Sequence, residues 1–314
     1  MNSRTNQLTT WVQSYFDPSA VSIMPLAGDA SFRRYFRVQT EAGSAVLMDA
    51  PPEKEACDAF INIIDIFKTA PVRFPKIIAK NLSQGFLLLT DFGDRQLLSL
   101  LSQGSVDGWY TKAMDALSLM QSHYRIPVHP TLPHFDYWRE FTIFHEWYLG
   151  ENKKRSLSSQ SFEKLKNLYQ RLVENAKAQP QGFVHRDYHS RNLMVCEDNI
   201  LGILDFQDAV IGPLTYDLVS LLRDCYIAWP LEKIRQWVKY YYDKVDVAVD
   251  FETFLRWFDW TGLQRHLKCL GIFSRLSYRD GKHHFLSDIP RVLNYALTVC
   301  EQYPELVELK EYLL

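Results

Sequence analysis

The sequence predicts an α+β protein of two lobes, a small β-rich one followed by a larger, mainly helical one. Three observations carry this. Strand-like alternation and short apolar runs cluster before residue 93, helical periodicity dominates from residue 96 onward, and a single apolar hairpin near 183–205 interrupts the helical part. A chain of 314 residues with 47% hydrophobic composition has room for two cores of ordinary size, here divided as 1–93 and 94–314.

In chain order, residues 8–16 carry the pattern of a first helix, stopped before Asp17-Pro18. Residues 23–26, 35–39 and 45–48 have strand character, separated by Gly28-Asp29-Ala30-Ser31 and Glu41-Ala42-Gly43-Ser44. After Pro51-Pro52 a helix is expected over 53–68, with Ala56, Phe60, Ile63, Ile64 and Phe67 on one face, and Pro71 and Pro75 break it. Residues 85–90 read as a buried strand, and 89–94 as the hinge into the second lobe. Helices are then expected near 107–124, 136–149, 161–177, 214–226, 231–243, 251–276 and 289–300, with no internal repeat or low-complexity tract.

Formal net charge is -2, from 35 Lys and Arg against 37 Asp and Glu, so no global field draws the chain to nucleic acid or an anionic membrane. Charged ligands must be met locally. Cys57, Cys196, Cys225, Cys269 and Cys300 are scattered without a Cys-x-x-Cys pair and read as reduced thiols. The polar opening residues carry no secretory apolar region, and no apolar run approaches a membrane span. These features point to a cytoplasmic protein with no nucleic-acid or membrane partner and no obligate protein partner evident.

The chemistry-bearing stretch is His185-Arg186-Asp187-Tyr188-His189-Ser190-Arg191-Asn192, between the apolar runs Phe183-Val184 and Leu193-Met194-Val195. After the turn Glu197-Asp198-Asn199, a strand over 200–204 ends at Asp205. A carboxylate five residues before an amide, with a second carboxylate after the next strand, is the donor set phosphoryl transfer uses. Asp187 is the candidate base for the attacking hydroxyl, and Asn192 and Asp205 are the candidate ligands of Mg2+ against the phosphates of ATP. His185 is expected to pack under the loop and hold its backbone, and Asp217, near a helix start, to support it. His189 either meets substrate and the transferring phosphate or packs as a core histidine.

Asp91-Phe92-Gly93 spells a metal-binding tripeptide of protein kinases, yet it precedes the His-Arg-Asp loop, and that order excludes the role. Thr90, Asp91 and Phe92 are instead expected at the hinge, with backbone available to adenine. Ser31, Phe32, Arg33 and Arg34, at the end of the connection between the first two strands, are the candidates for covering the ATP phosphates.

On the run from His185 to Asn192 the chain resembles the aminoglycoside phosphotransferase-like small-molecule kinases, whose fold is protein-kinase-like. Within that superfamily it is similar to the anomeric N-acetylmuramate/N-acetylglucosamine kinases of bacterial cell-wall recycling. The likeness rests on Gly28-Asp29-Ala30-Ser31-Phe32-Arg33-Arg34-Tyr35-Phe36, Leu47-Met48-Asp49-Ala50-Pro51-Pro52, Asp205-Phe206-Gln207-Asp208-Ala209, Gly262-Leu263-Gln264-Arg265-His266-Leu267-Lys268 and Arg279-Asp280-Gly281-Lys282, and spans nearly the whole chain. It implies ATP- and Mg2+-dependent phosphorylation of the C1 hydroxyl of an N-acetylated amino sugar to the α-1-phosphate, in peptidoglycan recycling.

Between Thr261 and Leu297 the cations Arg265, Lys268, Arg275, Arg279, Lys282 and Arg291 outnumber the acids Asp280 and Asp288. That surplus suits the lactyl carboxylate of N-acetylmuramate, which a bidentate arginine recognises, whereas a polycationic aminoglycoside calls for carboxylates. Most of these cations are expected on solvated helix faces. Arg279 and Lys282, on a loop with Gly281, are the substrate-binding candidates, with Glu140 a further one for sugar hydroxyls; Trp138, Trp147 and Tyr148 are expected in the core. One departure stands out: Met48 occupies the third strand where kinases carry the lysine that pairs the phosphates, so Arg33, Arg34 or the backbone must substitute. A kinase of choline, homoserine or an aminoglycoside on the same fold, and a catalytically inactive pseudokinase-like binding module, are the alternative functions.

Overall fold

A computed structural model of the chain describes residues 3–26, 32–124 and 132–314. The chain divides into two units, one of Met1–Arg95 with Met194–Gln207, the other of Gln96–Leu193 with Asp208–Leu314. The Gly28-Asp29-Ala30-Ser31 connection, and with it Ser31 as an expected nucleotide contact, lies outside the described residues.

In the first unit α1 (Ser3–Gln13) leads into β1 (Ser22–Pro25), β2 (Arg34–Thr40) and β3 (Gly43–Asp49), followed by α2 (Asp58–Ile66), β4 (Ile77–Asn81) and β5 (Phe86–Thr90). The strands form one antiparallel sheet in the order β1-β2-β3-β5-β4. Alternation sorts their side chains onto two faces. Val38, Ala45, Leu47, Phe86 and Leu88 form a core with Leu8 and Val12 of α1. Tyr35, which pairs with Met48, and Leu87, its other neighbour, belong to the opposite face. Asp49 is fully buried in this sheet and is neutralised by Arg4 (Nε to Oδ1, 2.9 Å) and Arg34 (Nε to Oδ2, 3.0 Å). The helix expected from residue 53 begins only at Asp58, because the amides of Lys54 and Glu55 turn back onto the Pro51 carbonyl (2.8 and 2.9 Å). Strand β4, between prolines and a turn, was not anticipated.

The second unit contains α3 (Leu97–Leu100), α4 (Val106–His123) and α5 (Tyr137–Ile143), which continues as a π-helix over Phe144–Asn152, then α6 (Ser159–Lys177) and β6 (Gln181–Val184). The chain next forms the hairpin β7 (Leu193–Val195) and β8 (Leu201–Ile203), and returns as β9 (Val210–Pro213), another strand that periodicity did not reveal. Helices α7 (Tyr216–Leu222), α8 (Leu231–Tyr242), α9 (Phe251–Tyr278), α10 (Ile289–Gln302) and α11 (Lys310–Leu313) complete it. β6 pairs antiparallel with β9, Phe183 opposite Ile211 and Val184 opposite Val210, which fixes the start of the motif-bearing loop.

At the centre runs α9, a helix of 28 residues buried on nearly every side by α5, α6, α7, α10 and the π-helix. Gly271 permits the closest of these approaches: a Cβ there would stand 2.5 Å from the Ile143 carbonyl oxygen. Among the described residues no helix is long and apolar enough to cross a membrane, and the five cysteines are free and buried.

Candidate active site

The loop between β6 and β7 is tied down by buried side chains. Asp217, in the first turn of α7, accepts the backbone N–H of His185 at Oδ2 (2.6 Å) and that of Arg186 at Oδ1 (3.0 Å). Burial pushes its carboxyl up to about 7, against the pull of those two donors. His185 is buried and accepts the Asp187 amide at Nδ1 (3.3 Å). Inside the loop, the Asp187 carbonyl accepts from the His189 amide (3.0 Å) and from Asn192 Nδ2 (2.9 Å). Asp224, to which the sequence assigned no role, accepts the Ser190 amide (2.9 Å) and hydroxyl (2.5 Å) on Oδ2. Its signal was an acid embedded among apolar residues. Arg186 sits at φ 76°, a backbone conformation that a non-glycine residue holds only where its surroundings over-determine it.

The Asp187 side chain keeps 35% of its surface open. Burial of the rest would raise its pKa. Lys268, with Nζ 3.6 Å from Oδ1, together with Arg265 and Arg186, outweighs that and holds the carboxyl well below the usual carboxylate range. The candidate base is therefore ionised at neutral pH. Lys268 and Arg265 come from α9 and are both buried, so for these two the expectation of a solvated helix face is wrong: a helix enclosed on all sides has no such face.

Glu140, expected to meet sugar hydroxyls, is only 1% exposed. It accepts Gln264 Nε2 on Oε2 (2.5 Å) and Arg186 Nη2 on Oε1 (3.3 Å), with Lys268 Nζ at 4.0 Å. Its carboxylate thus anchors the cations around Asp187. His189 packs edge-on against Tyr226, ring centroids 5.2 Å apart, and its buried Nδ1 has no hydrogen-bond partner among the described residues. Burial, aided by Arg265 and Lys268 against Asp224 and Asp187, lowers its pKa and keeps the imidazole neutral. Arg279, at the C-terminal end of α9, is exposed and turned to its neighbour Asp280 (Nε to Oδ1, 2.7 Å); Lys282 is half-buried just beyond.

In the first unit, Asp205 follows β8 at φ 60° and accepts Gln207 Nε2 on Oδ1 (2.8 Å). The next residue, Phe206, pins the segment between the rings of Phe60 (4.6 Å) and Phe74 (4.9 Å). At the end of β5, Thr90 takes the Lys76 amide on Oγ1 (3.0 Å). Asp91 is locked by Arg37 (Nε to Oδ2, 2.6 Å) and by the Gly93 amide (2.8 Å), which hold its carboxyl low despite burial. Phe92 lies against Gly202, where a Cβ would come within 2.4 Å of the ring. A cavity of about 570 Å3 opens here, lined by Ser44, Arg73, Lys76, Thr90, Asp91 and Phe92 among others. Phe32 is exposed, with Lys54 Nζ 4.7 Å over its ring. Arg33 pairs with Glu55, and Arg34 with Asp49.

The residues present fit Mg2+ brought in on nucleotide phosphates. Asn192 in the second unit and Asp205 in the first each carry an oxygen of the hard kind that Mg2+ takes, and the Asn192 amide is oriented by its Nδ2 bond to the Asp187 carbonyl. No three His, Cys, Asp or Glu gather into a cage among the described residues. A Mg2+ that binds with phosphates takes one or two protein oxygens and needs no such cage.

Residues 22–255 match the model of the phosphotransferase enzyme family. The chain belongs to this family. It is 39% identical to the N-acetylmuramate/N-acetylglucosamine kinase of Pseudomonas aeruginosa, over 99% of this chain and 96% of that relative. The choline kinase LicA from Streptococcus pneumoniae shares the fold with a TM-score of 0.65 at 11% identity, over 94% of this chain and 99% of that one. ADP-bound aminoglycoside phosphotransferase APH(2'')-Ib does so with a TM-score of 0.63 at 13% identity, over 95% and 99%. At such identities the two structures establish the fold alone, the protein-kinase-like α+β fold of small-molecule kinases. That the chain is a phosphotransferase rests on its family.

For a phosphotransferase the Lys268 contact has a measurable consequence. An ionised Asp187 is present above its depressed pKa and lost as pH falls through it. Lys268→Met removes the nearest cation, so that pKa rises and the acid limb of the kcat/KM profile moves to higher pH. A limb that stays where it is in the wild type would show that Lys268 does not govern the base.

Proposed function

We propose that the chain is an ATP-dependent kinase that phosphorylates the C1 hydroxyl of N-acetylmuramate and N-acetylglucosamine, giving the α-1-phosphate. The observation that carries the phosphotransfer is the Asp187 carboxylate held ionised beside Lys268 on a loop fixed by Asp217 and His185. The acceptor class rests on the P. aeruginosa relative, similar from end to end, and on the surplus of cations between Thr261 and Leu297.

Asp187 accepts the proton of the C1 hydroxyl as its oxygen attacks the γ-phosphorus, and the bond from that phosphorus to the bridging oxygen of ADP breaks. Asn192 and Asp205 would hold Mg2+, which would neutralise charge on the phosphate oxygens. His189 meets the acceptor or the transferring phosphate with a neutral imidazole. Phe32, Arg33 and Arg34, with Ser31, serve the phosphates, and the backbone of Thr90, Asp91 and Phe92 serves adenine. Arg279 and Lys282 are assigned to the lactyl carboxylate, Arg279 by exchanging its exposed Asp280 partner for the ligand; exposed ion pairs of this kind contribute at most about 1 kcal/mol. We place the reaction in the cytoplasm, where ATP is available and free thiols persist.

The test is an acceptor panel of N-acetylmuramate, N-acetylglucosamine, choline, homoserine and an aminoglycoside with Mg-ATP, followed by ADP release and phosphorus NMR of the product. One ADP per acid-labile anomeric phosphate is expected with the amino sugars. Turnover of choline, homoserine or the aminoglycoside in their place overturns the acceptor assignment, and no ADP from any acceptor overturns the enzyme.

A further inference from the structure

Helix α9 leaves one strip of its surface open. From Trp257 to Ser277 every residue is buried except Ile272 and Arg275, and these two share a face with Lys268 before them and Arg279 after them, at the spacing of one helical stripe. The strip starts at the candidate base, since Lys268 Nζ stands 3.6 Å from Asp187 Oδ1. We infer that Arg275 binds the acidic arm of the acceptor and so discriminates N-acetylmuramate, which carries a lactyl carboxylate, from N-acetylglucosamine, which does not. The inference deepens the proposed kinase reading and rests on it for the identity of the sugar.

Among the described residues, the Arg275 side chain makes no hydrogen bond or ion pair, and its Nε is buried without a partner. Other arginines of the same helix are matched. Arg256 pairs with Glu305 (3.0 Å), and Arg279 holds both oxygens of Asp280 (Nε to Oδ1, 2.7 Å; Nη2 to Oδ2, 2.9 Å). Burial and the like charges of Arg279 and Arg139 lower the Arg275 pKa, with Asp280 opposing them. A half-buried cation among cations costs stability unless an anion meets it. Packing therefore gives little reason for an arginine here. A bound carboxylate does, because a planar guanidinium takes one through two parallel N–H bonds.

Reach decides which anion this is. Lys268 and Arg275 are seven residues apart on the helix, an advance of about 10 Å. The transferring phosphate must lie against the hydroxyl that Asp187 deprotonates, so it stays at the Lys268 end of the strip. An anion at Arg275 then belongs to the far end of the acceptor. A monosaccharide whose attacked hydroxyl and ether-linked acid stand on different ring carbons presents two such ends, and half-buried Ile272 lies between them to meet its apolar atoms. Arg279, one turn further on and exposed, stands at the rim.

Calorimetric titration with N-acetylmuramate and with N-acetylglucosamine tests this. Arg275→Met is expected to weaken N-acetylmuramate binding by about tenfold or more, the equivalent of one charge-assisted contact, with N-acetylglucosamine bound as by the wild type and the thermal midpoint unchanged or raised. Arg275→Lys is expected to recover part of the loss, and Arg279→Met to lose less than about fivefold, as an exposed paired cation does. Unaltered N-acetylmuramate affinity in Arg275→Met overturns the inference. So do an equal loss for both sugars, which marks general damage, a larger loss in Arg279→Met, and a wild type that binds neither sugar. The titration needs no turnover. A wild type that shows the expected split in binding yet releases no ADP would sink the kinase reading and leave this inference standing, whereas an Arg275→Met variant that binds and phosphorylates N-acetylmuramate normally would sink the inference alone.

Discussion

Asp187→Asn is expected to lower kcat by on the order of 10²-fold or more, with little change in the KM for either substrate or in the unfolding midpoint. The replacement keeps size and shape, so the loop bonds of His185, Asn192 and Asp217, which all run to backbone atoms, are retained. What disappears is the proposed acceptor for the hydroxyl proton. Lys268 keeps Glu140 as a partner at 4.0 Å, which limits the penalty of leaving a buried ammonium without its nearer carboxylate. Steady-state kinetics beside a urea titration separates the two quantities. Wild-type turnover in this variant would remove Asp187 from the chemistry and, with it, the assignment of the loop.

Much of this site could be read from sequence because it is local. The loop from His185 to Asn192 is flanked by short apolar strands that set its ends, and Asp205 follows the next strand within a few residues, so spacing alone points to a candidate base and two candidate ligands. What escaped were partners that meet only through packing. Glu140, Asp187 and Lys268 lie on different elements far apart in the chain, and nothing in the local pattern of α5 or α9 announces that they converge. Periodicity also failed where it should. Helix α9 is enclosed all round, so its cations could not be told from solvated ones by counting faces, and Arg265 and Lys268 were misread for that reason. Strands β4 and β9 were missed because short apolar segments beside prolines carry too few residues to display a period of two. The start of α2 was misplaced because Pro51 captures two amides in a turn before the helix can begin.

Asp217→Asn is expected to act at a distance from the reacting atoms and still to cost kcat about 10²-fold. Both carboxylate oxygens of Asp217 accept backbone N–H groups, one from His185 and one from Arg186. An asparagine offers a single oxygen, and its NH2 faces whichever amide remains. A buried donor left without an acceptor costs about 1–3 kcal/mol, and relief comes from movement of the loop that carries Asp187. A displacement of about 1 Å in a reacting group is enough for a rate loss of about 10²-fold. A lower urea midpoint together with reduced kcat and near-normal KM values is therefore expected, the signature of a positioning residue. The sign of the pH dependence supplies a second readout. Burial raises the folded-state pKa of Asp217 from 3.8 to about 7, so between those values the folded protein holds a proton that the unfolded chain releases. This contribution is fully present below 3.8 and is lost as pH rises through about 7. Wild-type stability should fall across that window by more than the variant's does. Equal slopes in the two proteins would mean that the carboxyl titrates alike folded and unfolded, and that the backbone donors balance its burial.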